Sequence, residues 1–429
     1  MRILNPYENI DSMVRHRAIS HEHTYVDTTP TNQSLFERCI NRGIDVFCGV
    51  SYQPSVPQVP LTGWSWRYED WEFQLDDNGN IIYELDRQGN IKYKTFNGVD
   101  YPIPSLLRVT KTCIGSRHDF EMEDGNMSDI ANMVQLPNSE HAFFVYPSGE
   151  MRAGTHLNFI GSTWGDAVNG FLTNLDKYNL ENGLNLRSGG FRQIFPLWTL
   201  EQVIDNVRNN LQFSNKVFGT INHPGYSSLK DYEVDLFMNM APDLFKAMEI
   251  YNHGDSEVQA NYDISFYDKT LMRGYRLWCV SVNDWGTTVD GYHYASGGTN
   301  RGCNLLYLPS SYESLSQSEK AEAALDAYIA GSFSAVGFGN VDIEDVAVNG
   351  NLVDVTFNDV MDSIIVDIDG KRSAYHNTSR IFANLRQTNT FVRFEAYKGN
   401  DFIFTQPFFV LDKTKGLNIS EISILFDEK

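Results

Sequence analysis

The chain has 429 residues, a formal net charge of −21 and a sequence pI near 4.8. Its apolar fraction of 42% and aromatic fraction of 13% suffice for a large hydrophobic core and exclude global disorder. Because the charge is strongly acidic and no segment is rich in Lys or Arg, a nucleic-acid partner is not expected.

The chain carries no recognisable export or membrane signal. Residues 1–9 lack the apolar region of a signal peptide, and no run of about 18 apolar residues occurs, so we predict no membrane span. The five cysteines are widely spaced and form no CxxC pair, which is typical of buried, reduced thiols. We expect a cytoplasmic protein, or a virion-associated one if a phage encodes it.

The first fifty residues read as a βαβ unit. Residues 18–24 form a predicted strand that ends in His21 and His23. A predicted helix covers residues 31–43, capped by Thr31 and ended by Gly43, and a second strand covers Ile44–Val50.

An insertion follows, over about residues 61–130. Two copies of a ten-residue unit, 75–84 and 85–94, each carry a Gly-containing turn before a β-rich run, which predicts a short antiparallel ribbon. With Trp64, Trp66 and Trp71 nearby, this insertion is a candidate surface for an assembly partner or a second copy of the chain. Simple packing on the body of the protein explains the same aromatic cluster.

Strands and helices alternate from residue 130 to 290. The predicted strands are Ala142–Tyr146, Thr155–Ile160, Val217–Ile221, Ala247–Tyr251 and Leu277–Val282. Helices are predicted at Thr199–Phe213, at Ser265–Met272 and from Ser316 to Gly331, the first and last of them opened by a capping box.

After residue 340 only short β runs remain, separated by turn signals such as Asp369-Gly370. This pattern predicts a small antiparallel sandwich. We therefore expect an α/β domain over residues 1–335 and a β-sandwich domain over residues 340–429.

Histidines and acids recur at the ends of predicted strands, where α/β barrels hold their active sites. Two histidines two residues apart on a strand face the same way. The residues that we select on this basis are His21, His23, Glu140, His156, His223 and Asp284. Imidazoles with a shared carboxylate suit zinc, manganese or iron better than calcium.

The order of these residues resembles the polymerase and histidinol phosphatase (PHP) superfamily of metal-dependent phosphoesterases. The segments "RGIDVFCGV", "AMEIYN" and "LMRGYRLWCVSVNDW" are similar to segments that frame the family's motifs. The resemblance implies a distorted (β/α)7 TIM-like barrel followed by the predicted β-sandwich.

The resemblance also implies a ligand set. One metal would take His21, His23, Glu140 and Asp284, and a second would share Glu140 and add His156 and His223. The family's third metal lacks its histidines here, because Tyr52 and Gly286 occupy two of their places. We therefore expect two divalent ions, Zn, Mn or Fe.

The implied activity is hydrolysis of a small phosphorylated substrate by a metal-activated water. Candidate helpers in proton transfer or positioning are His141, His253 and Tyr52. One alternative is a PHP-like structural or binding protein with weakened catalysis, such as a component of a phage particle. Hydrolysis at a carbon centre is a third reading, but the carboxylated-lysine pattern of such barrels is not visible.

Overall fold

The computed structural model describes residues 1–23, 43–50, 64–96, 99–115, 133–145, 151–162, 200–252, 257–282, 302–337, 339–411 and 415–416. Their strands are β1 (Ile3–Leu4), β2 (Val14–His23), β3 (Ile44–Val50), β4 (Trp64–Phe73), β5 (Tyr93–Phe96), β6 (Val99–Pro102), β7 (Leu106–Gly115), β8 (Val134–Gln135), β9 (Asn138–Val145), β10 (Met151–Ile160), β11 (Phe218–Ile221), β12 (Phe245–Asn252), β13 (Tyr275–Arg276), β14 (Trp278–Val282), β15 (Cys303–Leu308), β16 (Phe333–Val336), β17 (Ile343–Asn349), β18 (Leu352–Ile368), β19 (Lys371–Asn384), β20 (Phe391–Lys398), β21 (Asp401–Phe404), β22 (Phe408–Val410) and β23 (Lys415–Gly416).

Helices are few in the same ranges. The α-helices are α1 (Leu200–Asn209), α2 (Pro224–Ser227), α3 (Asp231–Met240), α4 (Glu257–Met272) and α5 (Gln317–Ala330), and short 3₁₀ turns cover Ile10–Ser12 and Ser310–Ser314. None of the helices in the described segments is long and apolar enough to cross a membrane.

Two large sheets organise these elements. The first has 12 strands in the order β1-β22-β20-β21-β16-β15-β2-β3-β8, and β17, β18 and β19 join it because β18 pairs with β20. The second has five strands in the order β14-β12-β11-β10-β9. Pairing is parallel for β2–β3, β3–β8, β11–β12 and β12–β14, and antiparallel at β10–β11 and β9–β10.

The predicted (β/α)7 TIM-like barrel is therefore wrong. A barrel of that type needs one closed ring of parallel strands with a helix after each. Here the strands lie in separate mixed sheets, and β10 runs antiparallel to both of its neighbours. The strand positions were predicted well, but the period of a strand does not encode the direction of its neighbour.

Side-chain amides complete the edge of the five-stranded sheet. The Gln406 side chain accepts from the Cys279 backbone N–H at 2.8 Å and donates to the Cys279 carbonyl at 2.8 Å. Asn304 does the same for Ser281, with both distances 3.2 Å. Cys279 and Ser281 lie two apart on edge strand β14, so these amides take the place of hydrogen bonds from a neighbouring strand.

The side-chain amide of Asn138 links the five-stranded sheet to the 12-stranded sheet. Asn138 Nδ2, on β9, donates to the carbonyls of Ser20 on β2 and Cys48 on β3, at 3.1 and 3.2 Å. Helix α5 covers the junction, where the Tyr328 ring lies 5.0 Å from the rings of Phe218 on β11 and Phe333 on β16. The two sheets thus share one core without sharing a ladder among the described strands.

The prediction that the C-terminal strands form a small sandwich of their own is also wrong. Its β runs are present, but β20, β21 and β22 belong to the 12-stranded sheet that contains β2 and β3. Strand β21 pairs with β16, and β22 pairs with β1 near the N-terminus. The division into residues 1–335 and 340–429 stays a prediction.

The insertion contains the predicted antiparallel turns, with bridges Leu75–Ile81 and Leu85–Ile91. Its backbone hydrogen bonds close into rings: Gln74 donates to Ser105, Ser105 to Ile82, and Ile82 back to Gln74, at 2.7 to 2.9 Å. A second ring of this kind joins Glu84, Ile103 and Lys92. The repeat segment and residues 103–105 together therefore form a three-sided stack with two layers of hydrogen bonds.

Candidate functional site

Three strands bring chemistry-bearing residues to the junction of the two sheets. His21 lies near the C-terminal end of β2, in the 12-stranded sheet. His223 follows the end of β11, and Glu249 lies on β12, both in the five-stranded sheet. Because β11 and β12 are parallel, their C-terminal ends lie at one edge, the usual place for ligand sites in such sheets.

The two sheets meet through hydrogen bonds to Glu249. His21 Nδ1 lies 2.7 Å from Glu249 Oε1, and the exposed fractions of these side chains are 1% and 0%. The His223 backbone N–H donates to Glu249 Oε2 at 2.7 Å, and Asn252 Nδ2 donates to the same oxygen at 3.3 Å. Both carboxylate oxygens are therefore engaged in a fully buried position.

Three imidazoles lie near one another at this position. The rings of His156 and His223 lie 4.9 Å apart in an edge-to-face arrangement, and the rings of His21 and His223 lie 6.2 Å apart. His156 is half-buried, whereas His21 and His223 are buried. We call His21, His156, His223 and Glu249 the histidine site.

His156 and Tyr226 mark the solvent side of the histidine site. His156 lies on β10 beside the end of β11, where its carbonyl accepts from the Asn222 N–H at 3.0 Å. The Tyr226 ring packs edge-on against His223 at 5.2 Å and is 45% exposed. These two are therefore more exposed than His21, His223 and Glu249.

A buried polar network lies beside the histidine site. Thr220 donates to the Asn222 side chain, and Asn222 Nδ2 donates to Asn158 Oδ1, both at 2.9 Å. All three side chains are buried. Buried polar groups of this kind hold one arrangement only when they are hydrogen-bonded to one another, so they stabilise the backbone that carries His156 and His223.

The structure thus brings together three of the predicted ligands: His21, His156 and His223. For His23, Glu140 and His141 only the backbone is described; Glu140 pairs with Asn158 in the β9–β10 ladder. Tyr52, His253 and Asp284 lie outside the described residues. Their predicted roles stay predictions.

Sequence reasoning gave no role to Glu249, Asn252 or Tyr226. Glu249 had a usable signal, since it is a charged residue inside the apolar strand Phe245–Asn252. A carboxylate on a fully buried strand must be paired or functional. Glu249 and Asn252 also belong to the segment "AMEIYN" quoted above, whereas Tyr226 carried no comparable signal.

The predicted zinc or manganese centre is not formed by the described side chains. Among them, no group of three or more His, Cys, Asp or Glu is placed to hold a metal ion. The prediction of a metal-binding TIM-like barrel is therefore wrong for the described part of the chain. Two imidazole rings 6.2 Å apart, with one nitrogen turned to Glu249, do not by themselves make a coordination sphere.

Comparison of the sequence with protein-family models and with curated proteins finds no match. Among solved structures, the chain is similar to a two-domain protein from Bacteroides vulgatus that is described as containing a predicted PHP-like metal-dependent phosphoesterase. The identity is 11%, the alignment covers 93% of this chain and 88% of that one, and the TM-score is 0.38. A TM-score this low does not establish a shared fold.

Proposed function

We propose that the histidine site hydrolyses a small phosphoester with the help of divalent metal ions. The observation that supports it is the proximity of the His21, His156 and His223 rings, with His21 and the His223 backbone both contacting the buried Glu249 carboxylate. The ions would be held jointly by these imidazoles and by His23, Glu140 and Asp284. A bound divalent ion activates water and neutralises charge on a phosphoryl group.

The geometry of His21 fits a metal ligand. Imidazoles that bind metals usually donate their other ring N–H to a carboxylate or carbonyl, which fixes the ring. His21 Nδ1 has such a contact with Glu249, and Nε2 is the remaining nitrogen. His223 Nδ1 lies 3.4 Å from Ser227 Oγ, a hydroxyl that can either accept from or donate to the ring.

The chain's own residues would then orient the substrate. His156 and Tyr226 line the solvent side, where an imidazole and a phenol can hydrogen-bond phosphoryl or leaving-group oxygens. His21 and Glu249 are buried and exclude bulk water from the inner side of the site. Such exclusion strengthens hydrogen bonds to a charged substrate.

The test is hydrolysis of p-nitrophenyl phosphate by purified protein after chelation and reconstitution with manganese or zinc, with metal content measured in parallel. We expect metal-dependent turnover that falls at least 100-fold in His21→Ala and in His223→Ala. His376→Ala is the matched control. His376 is exposed on β19, and its hydrogen-bond partner among the described residues is the Asp362 backbone carbonyl. Equal turnover in all four proteins, or none with metal bound, would refute the proposal.

A second function has its own observation. The insertion exposes Leu75 and Leu85 at matching positions of its two repeats, 52% and 56% exposed, and Tyr93 at 56%. These exposed apolar side chains on the insertion favour a binding or assembly protein, in which the histidine site would only stabilise the fold. Metal binding that raises the melting temperature without any hydrolysis would support this alternative.

A further inference from the structure

Glu249 contacts two different parts of the histidine site. Its Oε1 faces a side chain of the 12-stranded sheet, His21 Nδ1, while its Oε2 accepts a backbone N–H of the five-stranded sheet, that of His223. Both distances are 2.7 Å. A single buried carboxylate thus sets the orientation of one imidazole and the backbone of another.

The hydrogen bond to His21 determines the tautomer of that ring. Glu249 Oε2 accepts two N–H groups, which favours the ionised carboxylate, and a carboxylate that accepts at Oε1 as well requires the proton on His21 Nδ1. The lone pair is then on Nε2, the nitrogen that a divalent cation would use. The free imidazole has no such fixed choice in water.

The backbone of His223 needs external support. Its φ of 26° lies in the left-handed region, which is unfavourable for a residue with a side chain. Glu249 accepts the His223 N–H on one side, and Asp263 Oδ1 of α4 accepts the Gly225 N–H on the other. A Cβ at Gly225 would meet the Gln259 carbonyl oxygen at 2.6 Å, so this turn packs tightly against α4.

We propose that Glu249 is the positioning residue of the histidine site: it holds His21 in the Nδ1–H tautomer and fixes the turn that carries His223. Its consequence for turnover rests on the proposed function, whereas the tautomer is a property of the metal-free protein. Glu249 acts through the two histidines and does not need to contact the substrate.

Selective ¹⁵N-histidine labelling of the metal-free protein tests the tautomer directly, with the His21 signals assigned by their loss in His21→Gln. We expect Nδ1–H in the wild type. In Glu249→Gln the isosteric amide can present an N–H to Nδ1, so the Nε2–H tautomer should become populated. Glu249→Asp keeps an acceptor-only group and should retain Nδ1–H.

Asp263→Asn distinguishes positioning from general loosening, because it alters the other support of the same turn. We expect it to leave the His21 tautomer unchanged. A wild-type protein in the Nε2–H form, or a Glu249→Gln protein that keeps Nδ1–H, would overturn the inference. So would a tautomer change of the same size in Asp263→Asn.

A separate experiment measures metal affinity and turnover. Loss of an orienting partner of this kind typically costs 10- to 100-fold in metal affinity or activity, and we expect that loss in Glu249→Gln, with partial rescue in Glu249→Asp. If the wild type hydrolyses no phosphoester but shows the expected tautomers, the proposed function fails and the positioning of His21 by Glu249 stands.

Discussion

The side-chain amide of Gln406 hydrogen-bonds both backbone groups of Cys279, each at 2.8 Å, and both residues are fully buried. The contact replaces a neighbouring strand at the edge of the five-stranded sheet. Without it, an N–H and a carbonyl of β14 would be buried with no partner there.

Replacing Gln406 by Met should therefore destabilise the protein strongly. Met retains the volume but offers neither donor nor acceptor, and each unsatisfied buried group costs about 1–3 kcal/mol. We expect the free energy of unfolding to fall by about 3 kcal/mol in urea titrations. Gln387→Met, at an exposed position, is the control and should change little. A loss below about 1 kcal/mol for Gln406→Met would contradict this role of the amide.

The same contact explains why strand positions were predictable and the architecture was not. Strand β3 has the predicted bounds, Ile44–Val50, because alternation and flanking turns are local signals. Which strands pair, and in which direction, depends on distant residues. Gln406 lies 127 residues from Cys279, and nothing in either segment indicates that a side chain will complete the edge of a sheet.

Gly331 ends α5, with φ of 77°, and packs against an indole. A Cβ there would lie 2.6 Å from the Trp278 ring, whereas a Cβ at Gly350, with φ of 67°, would meet nothing within 4 Å. Gly350→Ala should cost about 1 kcal/mol, from the left-handed backbone alone. Gly331→Ala should cost several-fold more, because the buried ring must also move. Equal losses in thermal unfolding would show that the close contact with Trp278 is unimportant.

The start of α5 was predicted from the Ser316-x-x-Glu319 pattern, and the structure confirms it. The Ser316 N–H donates to Glu319 Oε2 at 2.8 Å, and Ser316 Oγ accepts from the Glu319 N–H. The Ser316 hydroxyl also donates to Glu319 Oε2 at 2.6 Å, and this hydrogen bond, together with the one from the Ser316 backbone N–H, lowers the pKa of Glu319. Ser316→Ala should reduce the free energy of unfolding by about 1 kcal/mol. Ser318→Ala, two residues further into the helix, should not destabilise, since Ala is the better helix former there. An equal loss in the free energy of unfolding for Ser316→Ala and Ser318→Ala would contradict the capping role of Ser316.

The candidate site was predicted in part. His21 and His223 were selected at the ends of predicted strands, and these two ends do meet here even without a barrel, whereas His156 was predicted near the start of a strand and lies inside β10. Glu249 was missed because attention went to residues at strand ends, while it lies inside β12. Its role depends on the sheet-to-sheet contact with His21, 228 residues away in sequence.

A buried ionic cluster joins α4 to the 12-stranded sheet. Arg393 is fully buried and its Nε donates to Asp268 Oδ1 at 2.7 Å. Arg393 also lies 2.6 Å from Glu395 and 3.6 Å from Asp367, and Arg372 contacts Glu395 at 2.6 Å and Asp268 at 3.6 Å. Three carboxylates thus face two guanidinium groups, which leaves one negative charge uncompensated.

Burial raises the pKa of Asp268 from 3.8 to about 7, against the opposing effect of Arg393 and with the help of Asp367. Between about pH 4 and pH 7 the folded protein therefore holds a proton that the unfolded chain releases. The stability that this proton contributes is complete below the unfolded pKa and is lost as the pH rises through the folded pKa.

The wild type should thus lose stability between about pH 4 and pH 7 faster than Asp268→Asn, which stays neutral throughout. The expected difference in slope is on the order of 1 kcal/mol per pH unit. Urea titrations at four pH values measure it, and Asp77→Asn, at an exposed position of the insertion, should keep the wild-type slope. Parallel pH profiles for wild type and Asp268→Asn would show that Asp268 is ionised throughout and that Arg393 outweighs the cost of burial.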